Sequence, residues 1–219
     1  MRFMKKYVNI RFIYFLLAAA VVFISSCKKE ESIADEMLSA AVAAKQNTDN
    51  VAARPSNPVK RAYRDSFTTA FGFVPDLANG WTPPNPAPAW YPGSGDGNAA
   101  HMGKAKTYFN QYATFGPAGL ISSPAPVIMF FSSQLAGLNI PMNVTSVVMD
   151  DKGNAIWFQS SGSTTTPVSP TRINFTGEAL IVGGNGKFAG ATGEVVLNGY
   201  FNPQNPNDAS SWQNGWIQY

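Results

Sequence analysis

The apolar positions along this 219-residue chain fall into three regimes. Phe12–Ile24 is an unbroken run of thirteen apolar residues. Within Ile33–Lys45, Ile33, Met37, Leu38 and Val42 recur at helical spacing among Ala, Met and Leu, all good helix formers, with Ser32 placed to cap them and Asp35 three residues on. That spacing predicts a short spacer helix, followed by a polar linker over Gln46–Lys60. From Arg61 the period falls to two. Tyr63, Asp65, Phe67 and Thr69 face one way, and Arg64, Ser66, Thr68 and Ala70 the other. Strands are predicted over Tyr63–Phe73, His101–Tyr112, Val127–Ser133, Asn143–Met149, Ala155–Ser160, Arg172–Val182, Glu194–Phe201 and Trp212–Tyr219. Asp150-Asp151-Lys152-Gly153-Asn154 is a hairpin turn between two of them. About eight strands with turns between them describe an all-β barrel or sandwich.

Composition sharpens the boundary. Every Gly and every Pro lies at or beyond Pro55, so helix beyond residue 61 is limited to short pieces. Gly80–Asn98 stands apart, with five prolines and the aromatics Trp81, Trp90 and Tyr91. Such a loop is stiff without regular structure. It is read either as a strap with its rings in the core or as an aromatic lid or ligand platform. Ala155–Phe158 is apolar on both faces, which calls for a subunit interface or an outer layer supplied by the Pro-rich loop.

The N-terminal run is preceded by Arg2, Lys5, Lys6 and Arg11 and followed by Ser25, Ser26 and Cys27. A basic head, a short apolar core and small residues before a cut describe a secretory signal peptide, and the run falls short of the roughly 20 residues that cross a bilayer. Ile24-Ser25-Ser26-Cys27 resembles the lipobox of bacterial lipoproteins. The resemblance implies cleavage before Cys27, acylation of its thiol with palmitate-like chains, and anchoring by at least two of them. Lys28-Lys29-Glu30-Glu31 resembles the export tract of surface lipoproteins in Bacteroidetes-type bacteria. The expected organisation is a signal peptide over 1–26, a lipidated tether over 27–60 and a β domain over 61–219. The expected location is the outer membrane, on its periplasmic or cell-surface face.

Processing changes the charge. Loss of the four basic residues of the leader leaves 12 Lys and Arg against 13 Asp and Glu, a net of −1 in place of +3. No basic patch argues for nucleic acid. Cys27 is the only cysteine, so the β domain has no internal disulfide and no thiol for catalysis. His101 is the only histidine, which excludes His-cluster metal sites and leaves one candidate general base. Arg172 and Glu178 are six apart, so an unbulged strand puts both on one face with Asn174 and Thr176. Turned inward they form a polar interior site, and turned outward a solvated face. No cofactor is expected.

Gly183–Gly193 is the densest motif. Gly184-x-Gly186-x-x-Ala189 fits the loose dinucleotide fingerprint, but that fingerprint needs a helix next, and Glu194–Phe201 reads as strand. The glycines instead suit a tight turn, with Phe188 plugging the end of a barrel. Gly-Gly-x-Gly-x-Phe-x-Gly-Ala-x-Gly between strands resembles the signature of the allene oxide cyclase and dirigent barrels, and more closely their uncharacterised bacterial relatives. His101-Met102-Gly103-Lys104 and the terminal Gly215-Trp216-Ile217-Gln218-Tyr219 extend the resemblance over residues 61–219. It implies an eight-stranded antiparallel β-barrel, trimeric in plant members, with room for packed side chains or one small apolar ligand. The family's catalytic residues find no aligned positions here. Three functions follow as expectations: a barrel that binds a small hydrophobic ligand or a partner; a metal-independent cyclase or isomerase working through Glu178, Arg172 and His101; or a carbohydrate-binding surface on Trp81, Trp90 and Tyr91.

Overall fold

The computed structural model describes residues 59–219 except Ala118. The predicted signal peptide, Cys27, spacer helix and linker lie outside the described residues, apart from the linker's last two residues, Val59 and Lys60, of which Lys60 opens the first strand. Twelve strands follow in chain order: β1 (Lys60–Phe71), β2 (Val74–Pro75), β3 (Ala89–Trp90), β4 (Gly93–Ala99), β5 (Gly103–Phe109), β6 (Gln111–Gly116), β7 (Gly119–Pro124), β8 (Ser146–Met149), β9 (Ala155–Ser169), β10 (Arg172–Asn185), β11 (Thr192–Asn202) and β12 (Asn205–Gln218). Among the described residues, helix is confined to one turn, Ile128–Phe131, and two 3-10 turns, Leu77–Asn79 and Gly186–Phe188.

Eight of the strands close an antiparallel barrel. The order β10-β11-β12-β1-β4-β5-β8-β9 is sealed by the pairing of β9 with β10. Closure leaves the barrel without a free edge. β9 outruns β8. Its first residues, Ala155–Phe158, pair with β8, and farther along Ser163 and Thr164 pair with Ser122 and Ile121 of β7. A register shift against β10 between Gly177 and Ala179 marks the bend. From β7 the sheet continues through β6 and β3 to β2, building a four-stranded flap beside one end of the barrel.

The alternation in β1 is the predicted one, with Tyr63, Asp65, Phe67 and Thr69 all buried. The interior at one end is solid. Tyr63, Phe67, Ile156, Phe158, Ile181 and Ile217 pack there around Phe188, which is fully buried. Gly186, at φ 61°, gives the 3-10 turn its left-handed step and delivers Phe188 to Tyr219, ring centroids 4.8 Å apart. The glycine-rich segment is therefore a turn and plug between two strands, as expected, and no helix follows it.

Two predicted elements are corrected. Val127–Ser133 is not a strand: Ile128–Phe131 is a helical turn entered from Pro126. A five-residue apolar run, Val127–Phe131, has no period long enough to separate helix from strand, and proline ahead of the first turn favours the helix. The eighth barrel strand is instead β4, Gly93–Ala99, of which all but Ala99 lies in the stretch Gly80–Asn98 read from sequence as a loop. Its composition, Gly-Ser-Gly-Asp-Gly-Asn-Ala, opposes strand propensity, and tertiary packing overrides it. A Cβ on Gly93 would lie 2.1 Å from Phe109 Cζ and 2.8 Å from the Ala70 carbonyl. The doubly apolar face of Ala155–Phe158 also has a different cover. Val127, Leu135 and Val144 bury Val147 and Ala155, with Trp157 partly buried beside them, so the outer layer comes from the connection between β7 and β8 rather than from the Pro-rich loop.

Candidate functional site

The other end of the barrel is open inside. A cavity of about 780 Å³ lies between the upper barrel wall and the flap. It falls within the roughly 300–1,000 Å³ typical of small-molecule sites. Small inward residues make the room: Thr69 on β1, Thr107 on β5, Ser160 on β9, Ala179 on β10, and Ala209 and Ser211 on β12. No Asp, Glu, Lys, Arg or His side chain is among its lining residues.

Aromatic rings form a continuous train at the mouth. Trp81 meets Phe73 at 5.7 Å between centroids, Phe73 meets Tyr91 at 5.6 Å, Tyr91 meets Phe71 at 5.9 Å, Phe71 meets Phe201 at 5.4 Å, and Phe201 meets Phe175 at 6.5 Å. All six line the cavity. Tilted and edge-to-face contacts at these spacings are mutually attractive.

The Pro-rich loop is held down by its own aromatics. Trp81 Nε1 donates to the Asn85 carbonyl at 2.6 Å, and Tyr91 Oη donates to the Pro86 carbonyl at 2.7 Å. Burial pushes the Tyr91 hydroxyl above its ordinary pKa. Asp76 anchors the loop's start. Its carboxylate accepts from Tyr112 Oη at 2.6 Å, from Asn79 Nδ2 at 2.6 Å and from the Asn79 backbone N–H at 3.2 Å. Hydrogen bonds from Tyr112 and then Asn79 hold the Asp76 carboxyl below the usual range, and the same Asp76 contact raises Tyr112.

Below the cavity the polar side chains are sparsely partnered. Gln213 lines the cavity, and its Oε1 has no hydrogen-bond partner. Its backbone N–H donates to Asp65 Oδ1 at 2.8 Å, while Tyr63 Oη donates to Asp65 Oδ2 at 3.0 Å. Burial lifts the Asp65 carboxyl from 3.8 to about 7 against the opposing pull of these two bonds. Burial is also the first cause holding Tyr63 well above its ordinary value, with the Asp65 charge second. No cation compensates Asp65, since the one ion pair among the described residues is Lys106–Asp96 on the surface. Asn110 directly follows β5, with its Nδ2 donating to the Pro126 carbonyl at 3.1 Å and its Oδ1 unpartnered.

The residues singled out in the sequence distribute unevenly around this cavity. Trp81 and Tyr91 stand at the mouth, but Trp90 does not line the cavity and packs on Tyr112 at 5.1 Å. Arg172 and Glu178 share a face as expected, and it is the outer one. Arg172 lies over the Tyr200 ring at 3.9 Å and bonds Asn174, and both charged side chains are exposed. The interior site built on them is not formed. His101 sits in the turn between β4 and β5 at the packed end, with φ 64°, its Nε2 3.0 Å from the Ala62 carbonyl and its ring against Tyr219. The three catalytic candidates are thus apart from one another and outside the cavity. Sequence reasoning passed over Asp65, Gln213 and the inward hydroxyls. Asp65 carried a signal, a carboxylate in phase with Tyr63 and Phe67. The hydroxyls carried none, because Ser and Thr alternate with other small polar residues on both faces of these strands.

Comparisons with protein-family models, with curated proteins and with solved structures gave no match.

Proposed function

We propose that this chain is an envelope lipoprotein, anchored in the outer membrane through acylated Cys27, whose barrel binds one small, uncharged, largely hydrophobic ligand. The carrying observation is the cavity of about 780 Å³, closed below by packed side chains, open past an aromatic train and free of charged walls. Such a cavity favours apolar solutes by burying their surface at roughly 25 cal/mol per Å², and it disfavours ions, whose desolvation nothing there offsets. The lipobox resemblance supports the anchor, and an eight-stranded closure is what the resemblance to the allene oxide cyclase and dirigent signature implies. The test is native mass spectrometry of the full chain carrying Cys27→Ser, so that no acyl chain competes, against a library of uncharged apolar compounds. One-to-one complexes are expected, and their complete absence would leave a purely structural role. Labelling with radioactive palmitate, lost in Cys27→Ser, tests the anchor separately.

A further inference from the structure

The two ends of the barrel differ in charge. The segments that frame the mouth, 71–92, 111–124, 163–173 and 198–211, carry only Asp76, Arg172 and Asp208. Asp76 is buried and hydrogen-bonded, Arg172 lies over the Tyr200 ring, and Asp208 accepts from Asn202 Nδ2 at 3.0 Å. The packed end carries Lys60, Arg61, Lys104, Lys152 and Lys187, with Lys60 and Arg61 over the Trp216 and Tyr219 rings. Around the mouth the exposed surface is apolar instead. Phe73 is 44 %, Leu77 71 %, Phe115 59 % and Val168 58 % exposed. Phe73 lines the cavity, Leu77 sits on the turn leading to Trp81, Phe115 pairs with the lining residue Leu120, and Val168 follows the lining residue Pro167. Pro84, Pro86, Pro167, Pro203 and Pro206 are exposed on the same rim. Proline has no backbone N–H to take out of water. The Trp81 indole and the Tyr91 hydroxyl already donate to the Asn85 and Pro86 carbonyls, so neither polar tip depends on water. The side of the barrel is different, because its exposed apolar residues stand against charge: Leu180 is opposite Glu194, and Val196 is opposite Glu178.

Resting on the lipid anchor proposed above, we infer that the rim of the mouth seats against the surface of the membrane that holds Cys27, so that the cavity opens toward lipid. Apolar side chains, aromatic rings with satisfied polar tips and a lack of free charge are what the boundary between headgroups and acyl chains accepts. The tether permits this orientation. β1 begins with Lys60 paired to Gln218 at the packed end and runs to Phe71 at the mouth. Lys60 lies 33 residues beyond Cys27. That length spans at most about 110 Å when fully extended, against about 40 Å for the 12 residues of β1, so the mouth can turn back onto the bilayer. A protein could also cover an apolar rim, but the anchor keeps lipid within reach at all times, and a tethered contact needs little intrinsic affinity.

The test uses the acylated protein reconstituted in phosphatidylcholine vesicles whose acyl chains are brominated just below the headgroup. Bromine quenches tryptophan on contact. Trp81 stands at the mouth and Trp216 at the packed end, so the two report on opposite orientations. Quenching is expected in the native sequence, reduced at least about twofold in Trp81→Phe and kept in Trp216→Phe. Phe115→Glu puts a charge on an exposed rim position and should reduce quenching in the same direction, which keeps the test open should Trp81→Phe fail to fold. Salt at about 1 M, where screening acts over about 3 Å, should leave the quenching unchanged. Quenching that is lost in Trp216→Phe instead, or that needs anionic lipid and low salt, would assign the contact to the basic packed end and overturn the inference. Quenching that neither Trp81→Phe nor Phe115→Glu alters would overturn it too. No quenching in the acylated protein, with or without mouth-to-mouth dimers in native mass spectrometry, would overturn the membrane contact and leave the anchor and ligand binding standing. A chain that takes up no palmitate and stays off the vesicles would overturn the anchor on which the inference rests.

Discussion

Asp65→Asn should stabilise the barrel at alkaline pH and leave it unchanged in acid. Asp65 is 6 % exposed and has two hydrogen-bond donors but no cation. Its carboxyl is raised from 3.8 to about 7, with burial the dominant cause. The folded state therefore binds a proton that the unfolded chain has released between about pH 4 and pH 7. Where the native state holds more protons, stability falls as pH rises. The contribution is fully favourable below about pH 4, declines through the folded value near 7, and is level above it. At ~1.4 kcal/mol per pH unit, the span from 3.8 to about 7 is on the order of 4 kcal/mol, a large share of the ~5–15 kcal/mol that holds a domain together. Asn keeps an acceptor for the Gln213 N–H and carries no charge. The variant should exceed the native sequence by about 2–4 kcal/mol at pH 8 and match it within ~1 kcal/mol at pH 4.5. Asp76 and Asp150 work in the opposite sense. Hydrogen bonds lower Asp76, and at Asp150 burial pushes upward but is outweighed by bonds from Asn154 and Lys152 and by the Lys187 charge. Their stabilisation is present above the ordinary carboxylate range and lost below it, so the window from 4.5 to 8 isolates Asp65. Urea unfolding followed by tryptophan fluorescence at half-unit pH steps measures the slope. A native stability that stays flat or rises across that window, or a variant less stable than native at pH 8, would refute the reasoning.

Two further predictions concern the frame. Phe188→Ala removes the plug of the packed end and should cost about 3–5 kcal/mol in urea unfolding. Gly93→Ala places a methyl against the Phe109 ring and the Ala70 carbonyl, and because the backbone contact cannot relax it should cost at least 1–3 kcal/mol, seen as a lowered midpoint in a thermal melt.

Most of the frame was legible because barrel strands on either side of tight turns advertise themselves twice, by alternation and by turn chemistry. The Asp150 turn is an example. Its carboxylate accepts from the Lys152 and Asn154 backbone N–H groups, and Gly153 supplies φ 81°. β4 was illegible for the converse reason. Its inward positions are bare because neighbouring strands and Phe109 already occupy the space, a fact about other parts of the chain. The site was harder still. Arg172 and Glu178 were correctly placed on one face, but the face was undetermined, since a strand's period of two says which residues agree and not which set is inside. The inward set on β10, Ile173, Phe175 and Ala179, mixes sizes in the manner of a wall rather than a core.

That mixture of sizes explains why one barrel is both solid and hollow. Eight strands enclose space that side chains alone can fill. At the packed end the inward positions carry Tyr63, Phe67, Phe158 and Phe188, and they fill it. Toward the flap the same strands carry Thr69, Ala179, Ala209 and Ser211, and they do not. The large residues there, Phe71, Phe175 and Phe201, gather at the rim and contact one another instead of crossing the lumen. A chain selected for stability alone would have larger residues at these positions, because filling a void is among the simplest gains open to a fold. Ala179 is the decisive position, since it belongs to the packed cluster and to the cavity wall at once. Ala179→Leu should extend the packed end into the cavity, bury about three more carbons and stabilise the barrel by about 1–2 kcal/mol. The same change should weaken binding of an uncharged apolar ligand by tenfold or more, read by urea unfolding and by titration on one preparation. Stabilisation with binding intact would mean that the ligand sits elsewhere, and destabilisation would mean that the space beside Ala179 is narrower than the cavity's volume implies.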